Sequence, residues 1–413
     1  MHLLYSAFKF LRCRAGPDHG GTVSETQPSG SGSKVEIIQA LRGIAALGVV
    51  LWHTALFLGP YGEGIGATLF LSASTMGVDL FFIICGFVMV ISSTRPDGRV
   101  IPARDFFIRR LSRIYPLYCL ATVALFAMEY HGPLQTGSRL ANSLLLIPTS
   151  GSGLPAITAP TLIVGWTILY ELGFYCAFGL SLLLGRRYWF GIAAWAIAVL
   201  LLPALLAGNN PFDPYSGIET LPAVLQILIN PINWLFATGM LIAALFRSRV
   251  TLTRPGMAKS LCALSAILAI AQYATQFRVQ HGIFNAGLTL IPLVLILTLA
   301  TKTIVLHPLK PVAYLGRISF SLYMLHPSAI WVYIYTKNMF GIVNPLAGWF
   351  AVASVTALSL VMAAVSYRYI ECGLSEAIRH RISHWAAERF GVRRRDETVV
   401  AGLRPNERAA ARA

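Results

Sequence analysis

The sequence predicts an all-α, polytopic membrane protein of about ten transmembrane helices with both termini in the cytoplasm. The 413 residues are 56% hydrophobic and only 12% charged, whereas an ordinary soluble domain contains about 25% charged residues. Long apolar segments recur along the chain, and Lys and Arg collect in alternate connections between them. A soluble protein of this length would still need a charged shell, so the solvent of this protein is largely lipid.

Ten apolar segments are candidates for membrane spans, because a hydrocarbon core about 30 Å thick needs roughly 20 apolar residues per helix. The third segment is short, and only Gly185, Arg186 and Arg187 separate the fourth from the fifth. The segments lie at 36–58, 69–93, 113–130, 160–184, 187–207, 221–246, 259–276, 284–302, 317–338 and 345–370.

The basic residues set the expected orientation, because cytoplasmic loops of membrane proteins are enriched in Lys and Arg. With the N-terminus inside, the external loops contain only Arg139, Arg278 and Lys337. The other thirty of the 33 basic residues lie in the tails, in inner loops or near inner helix ends. We therefore expect a multi-pass protein of a bacterial inner membrane with both termini in the cytoplasm.

The ends of the chain differ from its apolar middle. Residues 1–34 contain a short apolar run interrupted by basic residues, then a stretch rich in Gly, Ser and Thr. They make a poor signal peptide, and we expect a disordered cytoplasmic tail. Residues 373–413 are expected to form a basic cytoplasmic tail with one short amphipathic helix. Residues 35–372 between them are predicted to form one membrane domain.

The composition also indicates which classes of ligand and partner to expect. The net charge of +16 is not accompanied by a stacked-aromatic or groove-reading pattern, which argues against nucleic acid and in favour of membrane lipids as partners. The six cysteines are scattered, without a CxxC pair or zinc spacing. The sequence therefore indicates neither a disulfide framework nor a metal site.

Two ionisable residues occupy the first predicted span, in the stretch LRGIAALGVVLWH. Arg42 lies near the inner end, and His53 lies eleven residues further, about 16 Å along a helix axis. Eleven residues at about 100° each place both side chains on one helix face, together with Ala45, Ala46 and Val49. Each residue alone could be structural, the arginine as an inner anchor and the histidine as an interfacial group. The pair on one face indicates a functional site.

Other predicted spans carry further polar groups. Asp79 in MGVDLFFIICGF and Glu171 in GWTILYELGFY lie near mid-membrane. His326 in SFSLYMLHP precedes Pro327, which would free a backbone carbonyl, and Tyr323 lies one turn earlier on a related face. Such groups could neutralise one another in a bundle, or form an acid–base site or a proton path. The residues themselves leave both explanations open.

The connection between the second and third spans, RPDGRVIPARDFFIRRLSRIYP, is rich in arginine. Attraction to anionic lipid headgroups would explain many such loops. However, Arg109, Arg110 and Arg113 lie adjacent or one turn apart at the start of a helix, where they could hold a polyphosphate ligand on the cytoplasmic side. No Walker or GxGxxG phosphate loop competes for that role.

Five of these stretches together resemble the acyltransferase-3 family of integral membrane O-acyltransferases, which includes bacterial exopolysaccharide and lipopolysaccharide O-acetyltransferases. The matching stretches occur in the family's order, and the similarity extends from about residue 35 to 372. They are LRGIAALGVVLWH, GVDLFFIICGF, FFIRRLSRIYPLY, GWTILYELGFY and LGRISFSLYMLHP.

The resemblance implies an enzyme that moves an acyl group, usually acetyl, from cytoplasmic acyl-coenzyme A to a hydroxyl of a cell-surface or exported glycan or a lipid-linked oligosaccharide. Acetyl-CoA would be the donor co-substrate, and no metal is implied. Arg42 and His53 match the family's suspected reaction centre. Arg109, Arg110 and Arg113 match a motif tied to use of the donor.

The remaining roles are expectations that the motifs alone do not prove. Glu171 and His326 are expected to take part in catalysis, and Asp79 and Tyr323 to bind substrate. His53 could act as a general base toward the acceptor hydroxyl or form a covalent acyl-imidazole. Glu171 and Asp79 could orient a histidine or bind sugar hydroxyls.

Arg42 could have either of two roles. It could stabilise the developing oxyanion, although a separation of about 16 Å from His53 favours a role in positioning the donor.

A proton-coupled multispan transporter of a small solute or glycan is the main alternative. Asp79, Glu171, His53 and His326 would then form a proton relay. Such a transporter is expected to show inverted repeats or paired interrupted helices, and the two halves of this sequence show no convincing repeat.

Overall fold

The described part of the chain is helical. The computed structural model describes residues 31–55, 57, 70, 73–95, 98–129, 137–148, 153–156, 160–218, 220–340 and 347–389. Within these ranges there is no β-strand, and one isolated antiparallel bridge joins Thr94 to Val100. The all-α prediction is confirmed over the described residues.

The α-helices follow one another with short 3-10 or π turns between several of them. In chain order they are α1 (Ser31–Ala55), α2 (Ala73–Ser93), α3 (Ala103–Glu129), α4 (Gly137–Leu144), α5 (Trp166–Ser181), α6 (Tyr188–Trp195), α7 (Leu202–Leu206), α8 (Ala223–Ile229), α9 (Trp234–Arg247), α10 (Pro255–Thr275), α11 (Gly287–Ala300), α12 (Lys310–Arg317), α13 (Ser319–Met339), α14 (Ala347–Ser366) and α15 (Ser375–Arg389).

Seven helical stretches within the described ranges are long and apolar enough to cross a bilayer, judged by length and composition. The chain is therefore a multi-pass membrane protein. The stretches are Glu36–Ala55, Ser74–Ser93, Ala103–Glu129, Ile163–Leu206, Ala223–Arg247, Pro255–Thr275 and Gly348–Ala386.

This number differs from the predicted ten at three places. Ile163–Leu206 is one stretch of 44 residues that covers the fourth and fifth predicted spans, and the backbone turns within it at Gly185, where φ is +58°. The eighth span corresponds to Gly287–Ala300, which has only 14 residues. The ninth corresponds to α13, which has 21 residues but carries many polar side chains. The number of crossings and the orientation of the termini remain predictions.

Glycines allow the central helices to approach closely. A Cβ atom at Gly239 of α9 would lie 1.9 Å from the Ile83 carbonyl oxygen of α2, and one at Gly86 would lie 2.0 Å from the Phe236 carbonyl oxygen. A Cβ atom at Gly316, at the end of α12, would lie 1.8 Å from a carbonyl oxygen of α1. Backbone contact of this kind is available only to glycine and is typical of membrane helix interfaces.

The tails are described only where they join the bundle. The predicted N-terminal tail, residues 1–34, lies outside the described residues except for the first turn of α1. In the predicted C-terminal tail, α15 is helical, and residues 390–413 lie outside the description.

Candidate active site

Arg42 and His53 lie on helix α1 with the separation and the common face that helical periodicity predicts. It is one unbroken α-helix of 25 residues, so the two residues stay about 16 Å apart along its axis. Ala45, Ala46 and Val49, which share their face, are all buried against other helices. The face that carries the two ionisable residues therefore points into the protein.

His53 contacts His326, which is fully buried on α13. The His326 Nε2 atom lies 3.2 Å from the His53 Nδ1 atom, and the ring centroids are 4.8 Å apart. The sequence predicted both histidines as site residues without placing them in contact. The structure brings them together although they are 273 residues apart in the chain.

Hydrogen-bond partners assign the tautomers of this pair. The His53 Nδ1 atom lies 2.9 Å from the Val49 carbonyl oxygen, and the His326 Nδ1 atom lies 3.3 Å from the Leu322 carbonyl oxygen. A carbonyl accepts only from N–H, so both neutral rings carry their proton on Nδ1. The His326 Nε2 atom then accepts from His53, and the His53 Nε2 atom keeps its lone pair. That lone pair is the chemical requirement of a general base.

A central cavity lies among α1, α2, α3, α5 and α13. Its wall is mostly apolar, with a few polar side chains. Those polar side chains are Arg42, Cys85, Arg110, Arg113, Thr167, Glu171, Tyr175 and Tyr323.

Glu171 is hydrogen-bonded within the central cavity. The Tyr175 hydroxyl and the Cys85 thiol both donate to its Oε1 atom, the thiol at 3.1 Å. These two partners lie in the quoted stretches GWTILYELGFY and GVDLFFIICGF, but neither was selected as a site residue. Neither of these hydrogen bonds joins Glu171 to the histidine pair, and its catalytic role stays a prediction.

Tyr323 lies between the central cavity and the histidine pair. Its hydroxyl is 3.0 Å from the Thr167 Oγ1 atom and 3.3 Å from the Val164 carbonyl oxygen. Its ring centroid is 6.0 Å from that of His326. Among the described residues that line the cavity, Tyr323 is the one in ring contact with a histidine of the pair. It therefore separates the two parts of the site.

A second, more polar cavity adjoins the first, because Arg42 and Arg113 line both. We call it the arginine vestibule. Its charged side chains are Arg42, Arg109, Arg113, Arg317, Glu371, Glu376 and Arg379. Arg317 and Glu371 were not selected from the sequence.

The three predicted donor-binding arginines divide between the cavities. Arg109 lines the vestibule, Arg110 lines the central cavity, and Arg113 lines both. Helix α3 begins at Ala103, ten residues before the predicted span, so the arginines lie on successive helical turns rather than in a loop. Arg110 donates to the Ser92 Oγ atom at 2.6 Å.

Asp79 lies apart from these groups. It is fully buried, its Oδ1 atom is 2.5 Å from the His281 Nδ1 atom, and its Oδ2 atom accepts from the Gly282 amide at 2.8 Å. Both carboxylate oxygens are thus used to hold the connection between α10 and α11. His281 was not selected from the sequence, because nothing in its local pattern pairs it with a residue 202 positions earlier.

Within the described ranges, no group of three or more His, Cys, Asp or Glu side chains could hold a metal ion.

The described residues thus form a multi-pass membrane protein with two linked cavities. The sequence model described as an acyltransferase domain matches residues 35–365, most of the chain. The chain therefore belongs to the acyltransferase-3 family, and the resemblance seen in the five stretches is confirmed.

Individual members of the family share low sequence identity with this chain. The chain is 28% identical over 290 residues to the exopolysaccharide production protein ExoZ of Rhizobium meliloti (strain 1021), covering 69% of this chain and 85% of ExoZ. It is 23% identical over 369 residues to a Staphylococcus aureus (strain COL) protein whose name gives O-acetyltransferase as its presumed activity, covering 81% of this chain and 56% of that protein. No solved structure gave a significant match.

Proposed function

We propose that this acyltransferase moves an acetyl group from cytoplasmic acetyl-CoA to a hydroxyl of a cell-surface or exported glycan, in a bacterial inner membrane. The observation that carries the proposal is the environment of His53, whose single Nδ1–H is shared between the Val49 carbonyl and the His326 Nε2 atom, so that its own Nε2 atom keeps its lone pair. A glycan acceptor is supported by the name of ExoZ. An acyl donor with phosphates is supported by the arginines of the vestibule.

In this proposal the arginines hold the phosphates of the donor, and the central cavity receives its extended arm. Arg42 positions the donor, because it lies where the two cavities meet and about 16 Å from His53. When bound, the thioester supplies an activated acyl carbon and a thiolate leaving group. Tyr323 must move for that carbon to reach the histidine pair, because it stands between them.

His53 performs the proton transfer. Its Nε2 atom takes the proton of the acceptor hydroxyl while the hydroxyl oxygen forms the new ester bond and the carbon–sulfur bond breaks. The proton then passes from His53 to the departing thiolate. His326 accepts from the Nδ1–H group of His53 and so fixes the ring orientation and tautomer. Asp79, predicted as a substrate ligand, is assigned a structural role because its oxygens are already used.

The test is to replace His53 by Gln and by Ala in protein reconstituted with labelled acetyl-CoA and candidate glycans. Removal of a general base lowers the rate about 10²- to 10⁴-fold, so we expect that loss of labelled glycan in both variants at normal protein level. His307→Gln, outside both cavities, is the control and should label as wild type.

Two results would contradict the proposal. Normal labelling by both His53 variants would remove the assigned base. Absence of labelled glycan and labelled protein in the wild type, together with proton-coupled solute uptake, would favour the transporter.

A further inference from the structure

The segment that follows the family-matched region forms one wall of the arginine vestibule. The family model ends at residue 365, and the next helical turns bring Tyr367, Ser375 and Arg379 to the vestibule. The segment packs against α3, which carries Arg109 and Arg113. Residues outside the common domain therefore contribute directly to the cavity that the proposed function assigns to the donor.

The charge of the vestibule is not balanced by its own carboxylates. Five arginines line it against two glutamates, and Arg379 pairs with Glu376. Glu371 is held by Ser321, whose amide and hydroxyl donate to it at 3.2 and 2.5 Å. In the described part of the chain, Arg42, Arg109, Arg113 and Arg317 form no ion pair with a carboxylate. Arg42 donates to the Gln39 Oε1 atom and Arg317 lies over the Tyr314 ring, but neither contact neutralises a guanidinium charge. Guanidinium groups collected around a cavity without carboxylate salt bridges favour a ligand with several phosphates.

Two polar atoms on the wall formed by this segment also lack partners. Ser375 is only 5% exposed, and within the described residues its Oγ atom has no hydrogen-bond partner. The same holds for the buried Nε atom of Arg379. Buried polar groups are normally hydrogen-bonded, so these two atoms are available to bind a ligand in the vestibule. Both atoms belong to residues that line the vestibule.

We infer that Tyr367, Ser375 and Arg379 recognise the phosphorylated adenosine end of a coenzyme A donor. Arg379 and Ser375 would donate to a phosphate, and the half-buried Tyr367 ring offers a surface for the purine. This inference rests on the proposed function for the identity of the ligand. It goes beyond that function by assigning a recognition site to residues 367–379, and it distinguishes a nucleotide-linked donor from an acyl group carried on a protein-bound phosphopantetheine.

The test measures binding of adenosine 3′,5′-bisphosphate, the nucleotide portion of coenzyme A, to the full-length protein by calorimetry in nanodiscs of phosphatidylcholine. We expect Arg379→Gln to weaken binding about tenfold, the usual effect of losing one charge-assisted hydrogen bond to phosphate. Ser375→Ala should weaken it by a smaller factor. Arg381→Gln is the matched control, because Arg381 lies on the same helix but does not line the vestibule.

Binding of pantetheine, which lacks the nucleotide, should be unchanged in all three variants. Wild-type affinity for the nucleotide in both Arg379→Gln and Ser375→Ala would overturn the inference, as would an equal loss in Arg381→Gln. Loss of nucleotide binding when phosphatidylglycerol is added to the nanodiscs would show a lipid-headgroup site and would also overturn it. None of these measurements depends on turnover, so failure here is separate from failure of the His53 assignment.

Discussion

His326 shows how one buried residue can set the chemistry of another. Its Nδ1 atom is committed to the Leu322 carbonyl, so its Nε2 atom can only accept a hydrogen bond from His53. This arrangement fixes which nitrogen of His53 remains basic. In the proposed function, His326 therefore positions His53.

His326→Gln and His326→Leu should differ in their effect on the rate of acyl transfer. In His326→Gln the side-chain oxygen can take the place of the Nε2 acceptor, whereas His326→Leu removes the acceptor altogether. We expect His326→Leu to lower the rate of acyl transfer by about 10²-fold or more and His326→Gln to retain a larger part of it. The measurement is labelled-acetyl transfer with the donor concentration varied, and the KM for the donor should stay near the wild-type value in both variants.

Equal losses in the Gln and Leu variants would contradict this positioning role. A large rise in the KM for the donor would instead place His326 at the donor site.

Asp79 and His281 form a buried pair whose loss should affect stability first. Leaving a buried hydrogen-bonding group without its partner costs about 1–3 kcal/mol, so we expect Asp79→Ala, which leaves both His281 and the Gly282 amide unpaired, to lower the unfolding temperature strongly and Asp79→Asn to lower it less. The measurement is thermal unfolding of the detergent-purified protein followed by tryptophan fluorescence. Asp213→Asn, in an exposed turn, is the control with no expected change.

An Asp79→Asn protein with wild-type stability but no acyl transfer would return Asp79 to the substrate-binding role predicted from the sequence.

At the residue scale, the relative positions of two residues can be predicted from the sequence when both lie on the same helix. The common face and different depth of Arg42 and His53 follow from helical periodicity alone, and the structure has both on one unbroken helix. The contact of His53 with His326 and the partner of Asp79 depend on residues more than 200 positions away. Local periodicity carries no information about such pairs.

At the scale of helices, the crossing of α2 and α9 depends on two glycines that leave no room for a side chain. Gly239→Ala would place a Cβ atom 1.9 Å from the Ile83 carbonyl oxygen, so the helices would have to separate. We expect a loss of about 1–3 kcal/mol or more, measured as a lower unfolding temperature and a smaller yield of folded protein. Because α2 carries Cys85 on the cavity wall, acyl transfer should fall as well.

Gly256→Ala is the matched control for this change. Gly256 lies in α10, has no atom within 4 Å of an added Cβ, and alanine is the better helix former. A stable, active Gly239→Ala protein would show that the crossing is not as close as described.

Helix boundaries were harder to predict than helix existence. The third helix begins at Ala103 because the arginine-rich segment is itself helical, although apolar content alone placed its start at residue 113. The fourth and fifth predicted spans form one 44-residue stretch that turns at Gly185. Hydropathy measures only how apolar a segment is. It does not show where a helix continues through charged residues, as in α3, or where the backbone turns, as at Gly185.

At the scale of the whole molecule, the first and last described helices of the chain meet in the arginine vestibule. Arg42, in the middle of α1, and Arg379 of α15 line the same cavity. Two ends on one face require an even number of crossings, which ten spans provide and seven do not. The number of crossings and the side of the membrane on which the termini lie stay predictions.

Reporter fusions test that orientation directly. Green fluorescent protein fused after residue 413 should fluoresce, because it folds in the cytoplasm, and alkaline phosphatase fused there should be inactive. Alkaline phosphatase fused after Phe277, in a predicted external loop, should be active and serves as the matched control. An active phosphatase at residue 413 would require an odd number of crossings, provided that the amino terminus is inside.

The position of Tyr323, at the end of the central cavity and beside the histidines, has a consequence for the cell. In the proposed function the donor enters and leaves through the vestibule, and only the acyl group passes beyond the tyrosine. Two carbons would change compartment while the nucleotide carrier stays in the cytoplasm for reuse. The reaction would then be a form of vectorial export, driven by thioester cleavage without any need for an ion gradient.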